Sequence, residues 1–229
     1  MTSHLERPVG APPERLLLPR PRSYRVTAGR RVLDVAVSGA LLVLTAPVLL
    51  VAVALVLLTD GRPVLFHQER LGEGREPFRL TKLRTMRSVP GGAEVTAQGD
   101  PRITRVGRFL RRTSIDELPQ LWHVLSGRMT LVGPRPESVP LAVRYPAACR
   151  DVLQARPGLT GPAQLRYRER SAVPPPGWPD VDGWYLDVLV PMRVRADLEY
   201  LERPTLPRTL RWLLVTALFV VGLVDVQAR

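Results

Sequence analysis

Cysteine is nearly missing from this sequence. Cys149 stands alone among 229 residues, so no disulfide can close within the chain, and a reducing, cytosol-facing location is the default. Histidine is almost as scarce: His4, His67 and His123 are scattered without zinc spacing. Lysine is reduced to Lys82, because arginine carries nearly all the positive charge. Acidic residues are also in deficit, with 21 Asp+Glu against 33 Lys+Arg and a formal net charge of +12. That balance selects polyanionic partners: nucleic acid, anionic lipid headgroups or phosphorylated small molecules. Internal repeats are absent, and so are a nucleic-acid module and interleaved aromatic and basic residues, so nucleic acid is not an expected partner. The length suits one domain of ordinary size with a buried core, and two full domains would be cramped.

What the chain does have is a long apolar run. From Val35 to Leu58 it reads VAVSGALLVLTAPVLLVAVALVLL without one charge, enough to cross a bilayer core of roughly 30 Å. A cleavable signal peptide fits poorly, because the run is too long and a polar stretch precedes it. Both flanks are basic. Arg20, Arg22, Arg25, Arg30 and Arg31 precede the run, and Arg62, Arg70, Arg75 and Arg79 follow. Arginine beside a membrane segment tends to stay cytoplasmic, so a simple crossing would export one basic flank. Pro47, near the middle, removes a backbone hydrogen bond and is read as a break. Two halves of about 12 residues would each reach roughly 18 Å, into one leaflet. A re-entrant hairpin over residues 30–60, broken at Pro47, is therefore favoured over a kinked crossing.

Residues 1–29, rich in Pro and Arg, read as a disordered or surface-lying basic arm. PVLFHQERLG and PFRLTKLRTM read as two strands around a Gly turn, residues 88–101 as a polar loop, and TRVGRFLRR as a short basic helix. Leu118, Leu121, Trp122 and Leu125 recur at helical spacing, with Gly127 as a stop. Ala172 to Asp182, with four prolines, reads as a loop. The apolar run after Arg211 is either an interfacial or a core helix.

The stretch SIDELPQLWHVLSGRMTLVGPRPE sets Asp116 and Glu117 side by side just after Arg108, Arg111 and Arg112. Ser114 and Glu117 have capping-box spacing, which by itself explains them as a helix start. With Asp116 as the cap instead, Pro119 falls in the tolerated first turn. Either way the pair lies at a helix N-terminus, where carboxylates keep low pKa values and stay ionised, suiting a nucleophile or metal ligand. Arg111, Arg112 and Arg135 offer planar forks to phosphate oxygens, and Pro134 and Pro136 restrict the backbone around Arg135. Each arginine alone is more simply a solvated surface charge. Their density around two carboxylates beside a membrane segment is what points to a phosphate site.

These pieces resemble the bacterial sugar transferases, the monotopic phosphoglycosyl transferases that initiate exopolysaccharide, O-antigen or glycoconjugate assembly. The matching motifs are RRVLD (30–34), the proline-interrupted apolar segment, FHQERLG (66–72), FRLTKLRTM (78–86), DPRITRVGRFLRRTSIDELPQLWHVLSGRMTLVGPRPE (100–137), RPGLTG (156–161) and ADLEYLE (196–202), in family order. The resemblance implies an α/β, mostly helical, membrane-embedded monotopic domain. Its parts would be a re-entrant helix-break-helix and interfacial amphipathic helices, with residues 61–229 as the cytosolic catalytic domain. It implies transfer of a sugar 1-phosphate from a nucleotide diphosphate sugar, a UDP-sugar by family expectation, to undecaprenyl phosphate with release of UMP. Asp116 would be the nucleophile forming a covalent phosphosugar intermediate, and Glu117 the ligand for Mg2+. Lys82, Arg84, Arg111, Arg112, Arg135, Gln68 and Arg70 would contact substrate or phosphate. The implied location is the bacterial inner membrane, facing the cytoplasm among membrane lipids, and a homo-oligomer is compatible with it. The chain departs from the family pattern at Ala46, His123 and Pro162, where Ser, Asn and an aromatic are usual. The expectation is a catalytic unit with a short basic arm, without the extra N-terminal membrane helices of larger relatives.

Two other readings compete. A non-enzymatic basic membrane adaptor that binds anionic lipid or nucleic acid explains charge and anchor but leaves Asp116 and Glu117 without a role. A membrane enzyme that transfers a sugar without its phosphate would release a nucleoside diphosphate, so the by-product discriminates.

Overall fold

The computed structural model describes residues 18, 19, 21, 23–87, 100–167, 181–224 and 226. Most of the basic arm, the 88–99 part of the polar loop and the proline-rich stretch through residue 180 lie outside them. Val181 and Asp182, expected in that loop, instead begin a helix.

The apolar run forms α1, Ala28–Asp60, which starts two residues before the expected boundary because Thr27 accepts from the Arg30 N–H. Helical conformation runs through Pro47 without interruption. Pro47 therefore does not end the helix: a proline removes one backbone hydrogen bond and can bend a helix without terminating it. Thirty-three residues make roughly 50 Å of helix.

Both ends of α1 are embedded in the rest of the protein. At the start, Arg30 and Asp34 are buried inside the helix rather than flanking it. Arg30 Nη2 donates to Val132 O at 2.7 Å, and Asp34 accepts from the Leu131 N–H at 2.9 Å and the Thr130 hydroxyl at 2.7 Å. Arg31 donates to Val124 O and Leu125 O, both at 2.6 Å. At the other end, Ala52 and Val56 pack with Leu83 and Leu110 in a small core. Between them no residue from 39 to 51 is buried, and Val43 and Leu44 are 78% and 74% exposed.

The remainder is mostly helical. β1 (Leu65–Leu71) and β2 (Pro77–Leu83) form the antiparallel hairpin read from the sequence, with Phe66 opposite Lys82 and Arg70 opposite Phe78. α2 (Arg105–Thr113), the short α3 (Leu121–Leu125), β3 (Thr130–Val132) and α4 (Val139–Ala142) follow. Gly127, with φ +85°, takes the left-handed turn that ends α3. β4 (Gly158–Thr160) pairs parallel to β3, and α5 (Pro162–Arg166), α6 (Val181–Trp184), α7 (Val190–Leu201) and α8 (Leu206–Val220) complete the chain. A π-helical turn, Tyr185–Leu189, joins α6 to α7. The main core gathers Leu80, Val124, Met129, Leu131, Leu189 and Leu198. In α8 only Thr209 is buried, and Leu210 and Leu214 are 51% and 60% exposed, which excludes the core-helix alternative.

Candidate active site

The turn bearing the carboxylates is built by the end of α2. Ser114 adopts a left-handed conformation, φ 59° and ψ 16°, and its N–H closes onto Arg111 O. A 3-10 helix, Ile115–Gln120, follows with Asp116 and Glu117 in its first turn and Pro119 inside. Neither capping scheme is realised, since Ser114 makes no side-chain cap and only Leu121–Leu125 is α-helical. The reversal at Ser114 swings Asp116 inward to 5% exposure while the Glu117 side chain stays 26% exposed.

Burial overturns the electrostatic expectation for the pair. Asp116 is pushed up to about 6, first by loss of solvation and then by Glu117, against the pull of Lys82, Arg111 and Arg135. Burial disfavours the charged form, and at Asp116 that loss of solvation outweighs the favourable surroundings. Lys82 is pushed the other way, down to about 8, by burial and then by Arg135, with Asp116 opposing. Near neutral pH Asp116 is therefore mostly ionised and Lys82 mostly protonated, each closer to its titration point than an exposed group would be.

The β hairpin explains how the cations arrive. Side chains alternate faces along a strand, so Phe66, Gln68 and Arg70 share one face of β1 with Lys82 of β2. The Lys82 ammonium lies 5.3 Å from the Phe66 ring centroid, a cation–π contact that holds a desolvated charge in place. Arg70 Nη2 donates to Gln68 Oε1 at 2.7 Å, and Nη1 to Pro136 O at 3.2 Å. Arg111 enters from the last turn of α2, with Nη1 3.3 Å from Met86 Sδ.

Two expected cations take other places. Arg84 caps the end of α1, with Nη2 on Asp60 O at 2.5 Å and Gly61 O at 2.7 Å, and Nη1 on Arg62 O just beyond the helix at 3.0 Å. The helix end leaves those acceptors without intrahelical donors, and a guanidinium is the natural cap. Arg112 is exposed, about 100° around α2 from Arg111, and is not among the charges acting on Asp116.

Arg135 is delivered by the close crossing of β3 and β4. Gly133 N–H donates to Thr160 O at 2.9 Å and Gly158 N–H to Pro134 O at 2.7 Å, and a Cβ on Gly158 would lie 2.1 Å from Gly133 N. Only glycine permits that approach. From it, Arg135 Nη2 reaches Glu117 Oε1 at 3.2 Å. An open cavity of about 450 Å³ adjoins Arg135 and is lined by Leu71, Val152, Tyr185 and Arg193; Asp116 lies outside it. His123, at the family's Asn position, accepts the Thr81 N–H on Nε2 at 3.2 Å and so braces the strand next to Lys82.

The residues present fit a hard divalent cation. Mg2+ takes one or two carboxylates and completes its shell with water and substrate phosphate, and Glu117 is a partly exposed oxygen donor beside a second carboxylate. Among the described residues there is no cluster of three or more metal-ligating side chains.

Sequence reasoning missed Phe66, Met86, Glu137, Tyr145 and Tyr185. Glu137 sits inside the quoted GPRPE motif, and Phe66 becomes visible only once the hairpin register is known. Nothing local marks the tyrosines, which meet Glu137 from 8 and 48 residues along the chain.

Comparison with known proteins agrees with the motifs. Residues 25–222 match the family model described as bacterial sugar transferase. A UDP-glucose:undecaprenyl-phosphate glucose-1-phosphate transferase of Caulobacter vibrioides is 42% identical over 203 residues, 86% of this chain and 71% of that protein. A protein of the same description from Escherichia coli K12 is 37% identical over 179 residues, 76% of this chain but only 36% of its own length. The exopolysaccharide production protein PSS of Rhizobium leguminosarum bv. phaseoli is 41% identical over 147 residues, 60% of this chain and 73% of that protein. The family match covers nearly the whole chain and includes every element that carries the site, so this protein belongs to the bacterial sugar transferase family.

Proposed function

We propose that this protein transfers a sugar 1-phosphate from a UDP-sugar to undecaprenyl phosphate with release of UMP. The observation that carries the reading is the buried Asp116 carboxylate in the field of Lys82, Arg111 and Arg135, with Glu117 partly open beside it. The names of the relatives, which specify UDP-glucose and undecaprenyl phosphate, supply the substrate classes.

A carboxylate oxygen of Asp116 attacks the phosphorus that bears the sugar, the bond to the bridging oxygen breaks, and UMP departs with the electron pair. The phosphosugar is left on Asp116. A phosphate oxygen of the lipid then attacks the same phosphorus and frees the carboxylate. A desolvated carboxylate is a stronger nucleophile than a hydrated one, which is what its displacement to about 6 reflects. Lys82, Arg111 and Arg135 neutralise the diphosphate that would otherwise repel it. Glu117 would hold Mg2+, which when bound adds charge neutralisation on the diphosphate.

The membrane reading is re-entrant: α1 dips into the cytoplasmic leaflet and returns, placing the site at the inner-membrane surface where donor and lipid meet. Support comes from both ends of α1 docking on one catalytic unit while its apolar middle is exposed. The exposed face of α8 would lie in the interface.

The test is UMP release by the purified protein in detergent with a panel of UDP-sugars and Mg2+, with and without undecaprenyl phosphate, beside Asp116→Asn. Lipid-dependent UMP from one donor, lost in the variant, is expected. Release of UDP would instead point to sugar transfer without phosphate.

A further inference from the structure

Directly after Pro136, Glu137 is buried and accepts four hydrogen bonds. Its Oε1 takes the Ser138 N–H at 2.9 Å and Arg70 Nη1 at 3.4 Å. Its Oε2 takes the Tyr145 hydroxyl at 2.8 Å and the Tyr185 hydroxyl in a very short contact. Tyr185 in turn accepts from Arg193 Nη1 at 3.2 Å, and the Arg193 guanidinium lies 5.7 Å from the Tyr185 ring centroid. Burial and the Glu137 charge raise the pKa of both phenols, although Arg193 partly offsets this at Tyr185, so each stays a donor. The main chain is tied at the same point, with Leu71 N–H on Glu137 O at 2.9 Å and Arg70 Nη1 on Pro136 O.

A charge in the interior is costly unless several donors face it, and a hydrophobic residue would serve a purely structural role at lower cost. The cluster has a direction: Arg193 of α7 holds Tyr185 of the π-helical turn, Tyr185 and Tyr145 hold Glu137, and Glu137 holds Arg70, which in turn bonds the Pro136 carbonyl next to Arg135. π-helical turns recur where a helix is adapted to a functional site. We infer that Glu137 is a positioning residue for donor binding, a buried anion that orients Arg70 and, through Pro136, Arg135 toward the donor diphosphate. This rests on the proposed reading of those arginines as diphosphate contacts.

The experiment measures kcat and KM separately for the UDP-sugar and for undecaprenyl phosphate, with melting curves, on the full-length protein. Variants are Glu137→Gln, Arg70→Gln, their combination and Arg135→Lys. Glu137→Gln is expected to raise donor KM about tenfold, the scale of one charged hydrogen bond. The lipid KM should stay level. The double variant should lose less than the product of the two single losses, because the two changes share the Arg70–Glu137 contact. A donor KM within twofold of wild type, or a double variant whose losses multiply, would overturn the inference. Arg135→Lys separates the two levels. If it raises donor KM while Glu137→Gln does not, only the positioning role falls; if neither moves it, the diphosphate reading falls and the inference with it. Should Glu137→Gln fail to fold, Tyr145→Phe with Tyr185→Phe keeps the charge and removes two donors. A donor KM at least about threefold higher supports the inference, and an unchanged one overturns it.

Discussion

Arg135 Nη2 meets Glu117 Oε1 at 3.2 Å in an ion pair whose side chains remain 42% and 26% exposed. Solvent screens such a pair, so it contributes little to stability, and either partner can turn to a ligand at small cost. The arrangement suits a site that must accept a diphosphate and a cation in place of this contact.

Arg135→Lys is accordingly expected to leave Tm unchanged and to lower donor kcat/KM roughly 10- to 100-fold, because a point charge replaces a planar fork. Initial rates and thermal melts on the same preparation check both halves.

Asp116→Asn should abolish turnover, by at least about 10³-fold, together with covalent labelling by a donor carrying its label in the sugar phosphate. The same change should raise Tm by several degrees. The folded pKa of Asp116, about 6, lies above the usual carboxylate value of 3.8, so its stabilising contribution is complete below 3.8 and is lost as pH rises through 6. At neutral pH the ionised group costs the fold about 3 kcal/mol. The stability gap between variant and wild type should therefore narrow as pH falls from 7 to 4, as followed by melting at stepped pH.

Activity should show two limbs. Protonation of Asp116 removes the nucleophile below about pH 6, and loss of the Lys82 proton removes a cation above about pH 8. Because each group acts on the other's titration, the two values belong to the pair. Donor kcat/KM measured from pH 5 to 9 should be bell-shaped, and Lys82→Gln should flatten the alkaline limb.

Arg84 and Lys82 should separate cleanly. Arg84→Gln removes charged bonds to the carbonyls that close α1 and should cost about 2 kcal/mol in stability with a modest change in donor KM. Lys82→Gln should keep the fold and lower turnover without abolishing it. Denaturation midpoints set against rates decide between them.

Single cysteines at positions 25 and 65, in a Cys149→Ser background, test the path of α1. A membrane-impermeant thiol reagent applied to sealed inside-out vesicles should label both, since both ends of the helix dock on one catalytic unit. Labelling from opposite faces would mean a crossing.

Sequence alone determined the elements whose cause is local. The β hairpin follows from strand alternation around a glycine turn, α2 from its short basic amphipathic pattern, and the membrane association of α1 from its uncharged apolar run. The adjacent carboxylates and the arginines near them stand out in the sequence, and the structure brings Arg111 and Arg135 to them. Tertiary structure decided what each charge does. Whether Asp116 is solvated or buried depends on a left-handed residue at Ser114 and on strands brought from far along the chain, so its high pKa could not be read from its place at a helix start. Arg84 and Arg112 look like equals of Arg111 in the sequence, yet one caps a helix and one faces solvent. Glu137 finds its donors at Tyr145 and Tyr185, and Arg30 and Asp34 find theirs beside β3. Desolvation and hydrogen-bond partnership are properties of the packed interior, assembled from contacts remote in sequence, and no local pattern carries them.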